Sequence, residues 1–350
     1  MNASHLGRLV ACHFYLGDYR LAADLCTEAL AIARDIGDRS REGSLLGNLA
    51  SCRYRLGEYR LAIDLNTQAL AIARDIGDRP RQGARLANVA GYHSGLGEYL
   101  QAINLSTEAL AIARDVGDRD LEGCALGNLG MCHRRLGEYR QAIDLHTQAL
   151  VIARDVGERY LEALTLGSLG RAWLASGDAH QAVMLLDQAV SIADTTGDIE
   201  SASIARSWLS RAQLQLGDPA AALAAAGRQE LPYPAEKPTM RLLEGLALLD
   251  LHRADESVRA FSEAVTTADA LLALAERNVA AVQARALALS GLAVATGNPA
   301  RATQAAKAFV QAHAVTNAAG VAADTACLLN MIASHDRSGI LAQVRVAQHP

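Results

Sequence analysis

Apolar residues along this chain recur at three- and four-residue steps, and a glycine followed by an acid interrupts them at regular intervals. Leu45, Leu46, Leu49, Cys52 and Leu56 share one face at helical spacing, which predicts a helix from about Ser40 to Leu56. Gly57 ends it, because glycine reaches the left-handed conformation that closes a helix, and Glu58 brings a carboxylate to the positive end of the next one. That second helix carries Ala62, Ile63, Leu65, Ala69, Leu70, Ala73 and Ile76, and stops at Gly77. Asp78 is placed to cap the helix that follows, and the same stop and start recurs at Gly37-Asp38, Gly117-Asp118 and Gly197-Asp198.

The pattern is itself repeated. Gly17, Gly57, Gly97, Gly137, Gly177 and Gly217 recur at one constant interval, and the copies starting at Leu16, Leu56, Leu96 and Leu136 are nearly identical as far as Arg39, Arg79, Arg119 and Arg159. Units of such a period bury their apolar face only by stacking on neighbours. The expected fold is therefore all-α, a right-handed superhelical solenoid of antiparallel helix pairs, with about sixteen or seventeen helices. A regular array over 1–226, its first repeat truncated, should give way to a proline-rich loop or joint at 227–240 (GRQELPYPAEKPTM). Degenerate repeats at 241–335 follow, and then a loosely held tail over 336–350. The truncated first unit leaves Leu6, Leu9 and Val10 as an open stacking face, which suggests a fragment of a longer protein or a homodimer contact.

Composition narrows the function. Aromatic residues make up 4% of the chain and the net charge is -5, which suits close-packed helices and disfavours nucleic acid as a partner. No apolar run is expected to reach membrane-spanning length, and the N-terminus MNASHLGRLV lacks the basic start and apolar stretch of a signal peptide. No membrane contact and a cytoplasmic location follow. Cys12, Cys26, Cys52, Cys124, Cys132 and Cys327 show no C-x-x-C spacing and are expected to be small buried thiols. His13, His93 and His133 recur at one repeat position, but equivalent positions of stacked helices lie about 10 Å apart, so neither a metal nor another cofactor is expected.

These residues resemble the tetratricopeptide repeat in the long-repeat form of kinesin light chains, spindle-orientation adaptors and bacterial signalling proteins. The family's first-helix Leu-Gly pair falls on Leu49-Ala50, Val89-Ala90, Leu129-Gly130 and Leu169-Gly170. Its two small second-helix positions fall on Ala62 and Ala69, Ala102 and Ala109, Ala142 and Ala149, and Ala182 and Ala189. Two departures stand out. Asn66, Ser106 and His146 replace the large second-helix aromatic, and an Arg-Asp-Ile/Val-Gly-Asp extension replaces the terminal proline. The resemblance is strong from Gly7 to Asp218 and fades afterwards.

A helical-hairpin solenoid binds peptides along its first helices, and there Ser44, Asn48, Ser51 and Arg55 form one polar stripe. The resemblance implies that Asn48, Asn88 and Asn128 form a ladder that hydrogen-bonds a ligand's backbone, each amide offering a donor and an acceptor. The alternative is a surface asparagine copied by duplication. Ser51, Arg55, Met131, Arg134, Arg135 and Arg171 complete the candidate peptide-binding set. The first helices are basic in their later halves (Arg53, Arg55, Arg134, Arg135, Arg171, Arg206 and Arg211), so a groove lined by them would take an acidic or carboxylate-bearing ligand. The Arg-Asp and Asp-Arg pairs read as inter-repeat ion pairs and caps. No phosphate loop, H-E-x-x-H or G-x-S-x-G motif is present, so no catalytic residue is expected. Three readings remain: a peptide- or protein-binding scaffold, the sensor or autoinhibitory arm of a larger signalling ATPase, transcription regulator or protease-like effector, and a regulator responding to a peptide signal.

Overall fold

The computed structural model describes residues 9–14, 18–227, 235–274, 278–315 and 318–348. Among them every regular element is a helix: α1 (residues 9–14), α2 (Tyr19–Asp35), α3 (Arg39–Arg55), α4 (Tyr59–Asp75), α5 (Arg79–Gly95), α6 (Tyr99–Val116), α7 (Arg119–Leu136), α8 (Tyr139–Val156), α9 (Arg159–Ser176), α10 (Ala179–Thr196), α11 (Ile199–Gln215), α12 (Pro219–Gly227), α13 (Lys237–Asp250), α14 (Ala254–Leu274), α15 (Val279–Thr296), α16 (Pro299–Val315), α17 (Ala319–Ala333) and α18 (Ala342–Gln348). The chain divides inside α7 into two compact units, Met1–Cys132 and His133–Pro350.

In each unit, consecutive helices pack against one another through most of the chain, with α16 against α18 near its end, giving the expected all-α solenoid of helix pairs. In the second unit α9, α11, α13, α15 and α17 also touch in succession, so the first helices of the pairs form a layer of their own. Close approach depends on the recurrent alanines. Ala62, Ala69, Ala102, Ala109, Ala142, Ala149, Ala182 and Ala189 are all at most 1% exposed.

The punctuation is real. Gly57 and Gly77 have φ of 80° and 72°, and the Asp38 and Asp78 carboxylates each accept from the backbone N–H three residues on, at 3.0 Å. Glu58, Glu98 and Glu138 make no such cap. They accept instead from the end of the preceding helix, from Arg53 at 3.0 Å, from His93 at 2.6 Å and from His133. The recurrent histidine is thus a clasp across the turn. The Arg-Asp pairs bridge repeats as expected, with Arg39 to Asp75 and Arg79 to Asp115 both at 3.4 Å.

Several expectations need correction. Cys12 and Cys124 are exposed, whereas Cys26, Cys52 and Cys132 are buried. α15 is 18 residues long with mean hydropathy 1.5, long and apolar enough to cross a membrane, because it packs between α13, α14, α16 and α17 and so needs no polar face. Its Arg285 is held by Asp269 at 2.5 Å. The segment after His335 is anchored: Asp336 accepts from the Ile340 and Leu341 N–H groups, which drives the fully buried Leu341 and Val344 into the core. Of the open N-terminal face, Val10 is buried in the core, Leu9 is exposed and Leu6 lies outside the described residues. Of the expected joint, residues 228–234 lie outside the described residues, and Lys237 to Met240 already belong to α13.

The residue nine positions after each turn glycine lies deepest between helices. It is Cys26, Asn66, Ser106, His146 and Leu186 in successive units, all at most 1% exposed. Asn66 is satisfied by donating to the Arg85 carbonyl at 2.8 Å. His146 Nδ1 has no partner, and burial, then the charges of Arg171 and Arg134, push its imidazole down to about 3. In the second unit His252, with φ of 59°, takes the place of the turn glycine, and nine residues on Phe261 restores a large aromatic between Gly245 and Gly291.

Two outcomes are expected. Because His146 is neutral when folded and titrates near 6.5 when unfolded, the folded state loses stability as pH falls below about 6.5 towards the folded value, by roughly 1.4 kcal/mol per unit for the one proton. His146→Asn, which installs the side chain of the second repeat, should remove that component from denaturant melts taken at pH 7, 6 and 5. A Cβ added at Gly291 would lie 2.5 Å from the Phe261 ring. Gly291→Ala should cost about 1–3 kcal/mol by overpacking, and Phe261→Leu in the same chain should recover part of it in urea titrations.

Candidate functional site

A cavity of about 190 Å³ opens in the second unit against the first-helix layer. α9 supplies Arg171, α11 supplies Ser207, Trp208 and Arg211, α15 supplies Gln283 and Leu287, and α17 supplies Asp324, Thr325 and Leu328. The end of α7 adds Arg135, and the start of α13 adds Glu236, Leu242 and Leu243. One wall is charged and the other is aliphatic.

Trp208 organises the charged wall. The guanidinium carbons of Arg171, Arg211 and Arg134 lie 4.8, 4.9 and 5.5 Å from its ring centre, within cation–π range. Behind it Arg134, 2% exposed, donates to Asp324 Oδ2 at 3.1 Å. Arg211 donates to Asp324 Oδ1 at 3.2 Å and to the Asp324 carbonyl at 2.7 Å. α17 comes this close because Gly320 lies over the end of α7, where a Cβ would meet the Arg134 carbonyl oxygen at 2.3 Å.

The electrostatics are unbalanced. Burial would raise the Asp324 carboxyl, but the charges of Arg211, Arg134 and Arg135 outweigh it and hold the group below the usual carboxylate range. Burial pushes Arg134 down to about 10, so it stays cationic at neutral pH. Burial, then Arg134 and Arg135, press hard against the charged form of Arg171. An arginine keeps its proton, so a guanidinium placed here favours anions beside it. The Glu236 carboxyl lines the same cavity and its charge favours the charged form of Arg171, while burial raises that carboxyl against the opposing pull of Arg171 and of the Ser207 hydrogen bond. Arg134 Nη2, Arg171 Nε and Arg211 Nε are buried without acceptors.

The candidate residues fall into two groups. Arg134, Arg135 and Arg171 come together with Arg211 around the cavity, whereas Arg206 turns away to Asp194 at 2.6 Å. In the first unit Asn48 is exposed and Asn88 is half-buried, while Asn128 donates Nδ2 to the Ala87 carbonyl at 3.1 Å. The Ser51 hydroxyl lies 3.2 Å from the Tyr92 hydroxyl, Arg55 lies over the Tyr19 ring, and Met131 is half-buried. Sequence reasoning missed Trp208, Asp324 and Glu236. Trp208 was signalled, since it stands one full repeat after Ser168 on the register of Asn48, Asn88 and Asn128. Asp324 is the single charge of α17.

The tetratricopeptide repeat model matches residues 2–75, 82–155 and 123–195, over half of the chain. The chain belongs to the tetratricopeptide repeat family. A model of anaphase-promoting complex subunit 5 matches residues 241–271. No curated protein matches in sequence. Among solved structures this repeat protein is similar to a Rap protein complexed with competence and sporulation factor, at TM-score 0.60 and 18% identity over 76% of this chain and 74% of that one. It is also similar to apo RapI, at TM-score 0.58 and 15% identity over 76% and 97%. A Rap conjugation gene regulator of the plasmid pLS20, in complex with a Phr peptide, aligns at TM-score 0.58 and 14% identity over 76% and 74%. At these identities the likeness is one of fold.

Asp324 holds two buried arginines, so Asp324→Asn should cost about 3 kcal/mol, the scale for breaking a buried pair. Its depressed carboxyl adds stability that is complete above the unfolded value near 3.9 and lost as pH falls through the folded value. The variant should lack that acid-side loss in denaturant melts.

Proposed function

We propose that this tetratricopeptide repeat protein is a non-catalytic regulator in the cytoplasm that responds to a peptide or a protein segment held against its first helices. The observation that carries this reading is the cavity around Trp208, built from first helices and left with buried arginine donors that have no acceptor. Trp208 and Arg211 stand on the repeat registers of Asn48 and Ser51, so the two units devote the same positions to polar recognition. In the first unit Asn48, Asn88 and Asn128 hold the ligand's main chain, with Ser51, Arg55 and Met131 beside them. In the second, Arg134, Arg135 and Arg171 favour an acidic ligand. Support comes from fold relatives whose structures contain competence and sporulation factor and a Phr peptide.

Replacing Asn48, Asn88 and Asn128 together by Ala should weaken capture of peptides on an array by about tenfold or more, at about 1 kcal/mol for each net hydrogen bond. The helical circular dichroism should persist, with a small loss of stability from the Asn128 bond to Ala87. Undiminished capture by a folded triple variant rules out the asparagine ladder.

A further inference from the structure

The cavity around Trp208 has a chemistry more specific than peptide binding. It combines a dense positive wall with an aliphatic one in a space of about 190 Å³. An engineered apolar cavity of roughly 150 Å³ accepts one benzene, so the space here suits one side chain and its terminus rather than a length of peptide. Arg171 and Arg211 both line it, and each keeps a buried Nε–H without an acceptor. Arg211 is itself 8% exposed. Arg135, Arg171 and Arg211 line the cavity, with Asp324 and Glu236 as the carboxylates among its described lining residues, and Arg134 holds Asp324 from behind.

The structure already shows the group these arginines accept. Arg134 and Arg211 hold the two oxygens of the Asp324 carboxylate separately, at 3.1 and 3.2 Å, which leaves the Nε–H groups of Arg171 and Arg211 for a second anion. Leu242, Leu243, Leu287 and Leu328 form the opposite wall, where a hydrocarbon side chain gains by leaving water. A phosphate, with four oxygens and no hydrocarbon, would gain nothing from the leucine wall.

We propose that this cavity receives the C-terminal residue of a peptide, with its free carboxylate on Arg171 and Arg211 and its apolar side chain against the leucines. The assignment rests on the peptide-binding reading and names the end of the ligand that enters.

The test uses the unaltered full chain and its tryptophan fluorescence. The probes are N-acetyl tripeptides Ala-Ala-X, with X being Ala, Val, Leu, Met or Phe, each as the free acid and as the C-terminal amide. Acids with a branched or larger X should bind, and amidation should weaken binding at least about tenfold, the scale of a lost charge-assisted pair. The signal should survive Trp173→Phe and vanish in Trp208→Phe. Arg171→Gln should reduce binding of the acid to that of the amide, with folding checked by circular dichroism. The proposal is overturned if no acid binds, if acid and amide bind equally, or if inorganic phosphate displaces the acids at lower concentration than acetate does. Longer peptides captured without preference for a free C-terminus would leave the peptide-binding reading standing and remove this one.

Discussion

The stacking of this chain depends on how closely its helices approach at pairs of alanines. Ala62 and Ala69, with their counterparts in each later repeat, carry almost no exposed surface, and any larger side chain there would push the backbones apart. That spacing fixes the depth of the residue nine positions after each turn glycine. A position so enclosed needs either a shape match or a hydrogen bond. Asn66 finds a carbonyl, Leu186 is apolar, and His146 stays neutral without a partner at Nδ1. Repetition here put a titratable group in a site that disfavours charge, so His146 is one source of the acid sensitivity expected of the second unit.

Charge in this molecule is of two kinds. The repeated pairs, such as Arg34 with Glu42 and Arg114 with Glu122, have arginines 50% and 55% exposed, so each contributes at most about 1 kcal/mol. The second repeat replaces the acid by Gln82, which donates to the Ala73 carbonyl instead, and the turn is kept. The cluster around Trp208 differs in degree. Arg134 and Arg211 are buried, the arginines repel one another, and Arg134, Arg171 and Arg211 each keep a buried N–H without an acceptor, so apolar packing would serve stability better. Such an arrangement in a helical array points to binding rather than folding.

The fold was legible because its signals are local and repeated. Gly77, Asp78 and Ala69 each act within a turn or against the next helix, so every further copy of the repeat states the same architecture again. The cavity was half legible. Arg134, Arg135 and Arg171 stand in regular repeats, but Asp324, which Arg134 holds, comes from a helix 190 residues further along. No periodicity announces that meeting. The tail misled for a similar reason, because Leu341 and Val344 are buried by neighbours that are remote in sequence.

Gly320 shows why that distant contact is specific rather than incidental. Any side chain at this position would strike the carbonyls of Arg134 and Arg135, and α17 would then stand off from the end of α7. Asp324 lies one helical turn further along the same face of α17, so the glycine that admits the helix also delivers the carboxylate. Close approach supplies the anion that two buried arginines share, and the Nε–H of Arg171, further along the wall, is left without an acceptor. The contact between α17 and the end of α7 therefore also builds one wall of the positive, tryptophan-backed cavity.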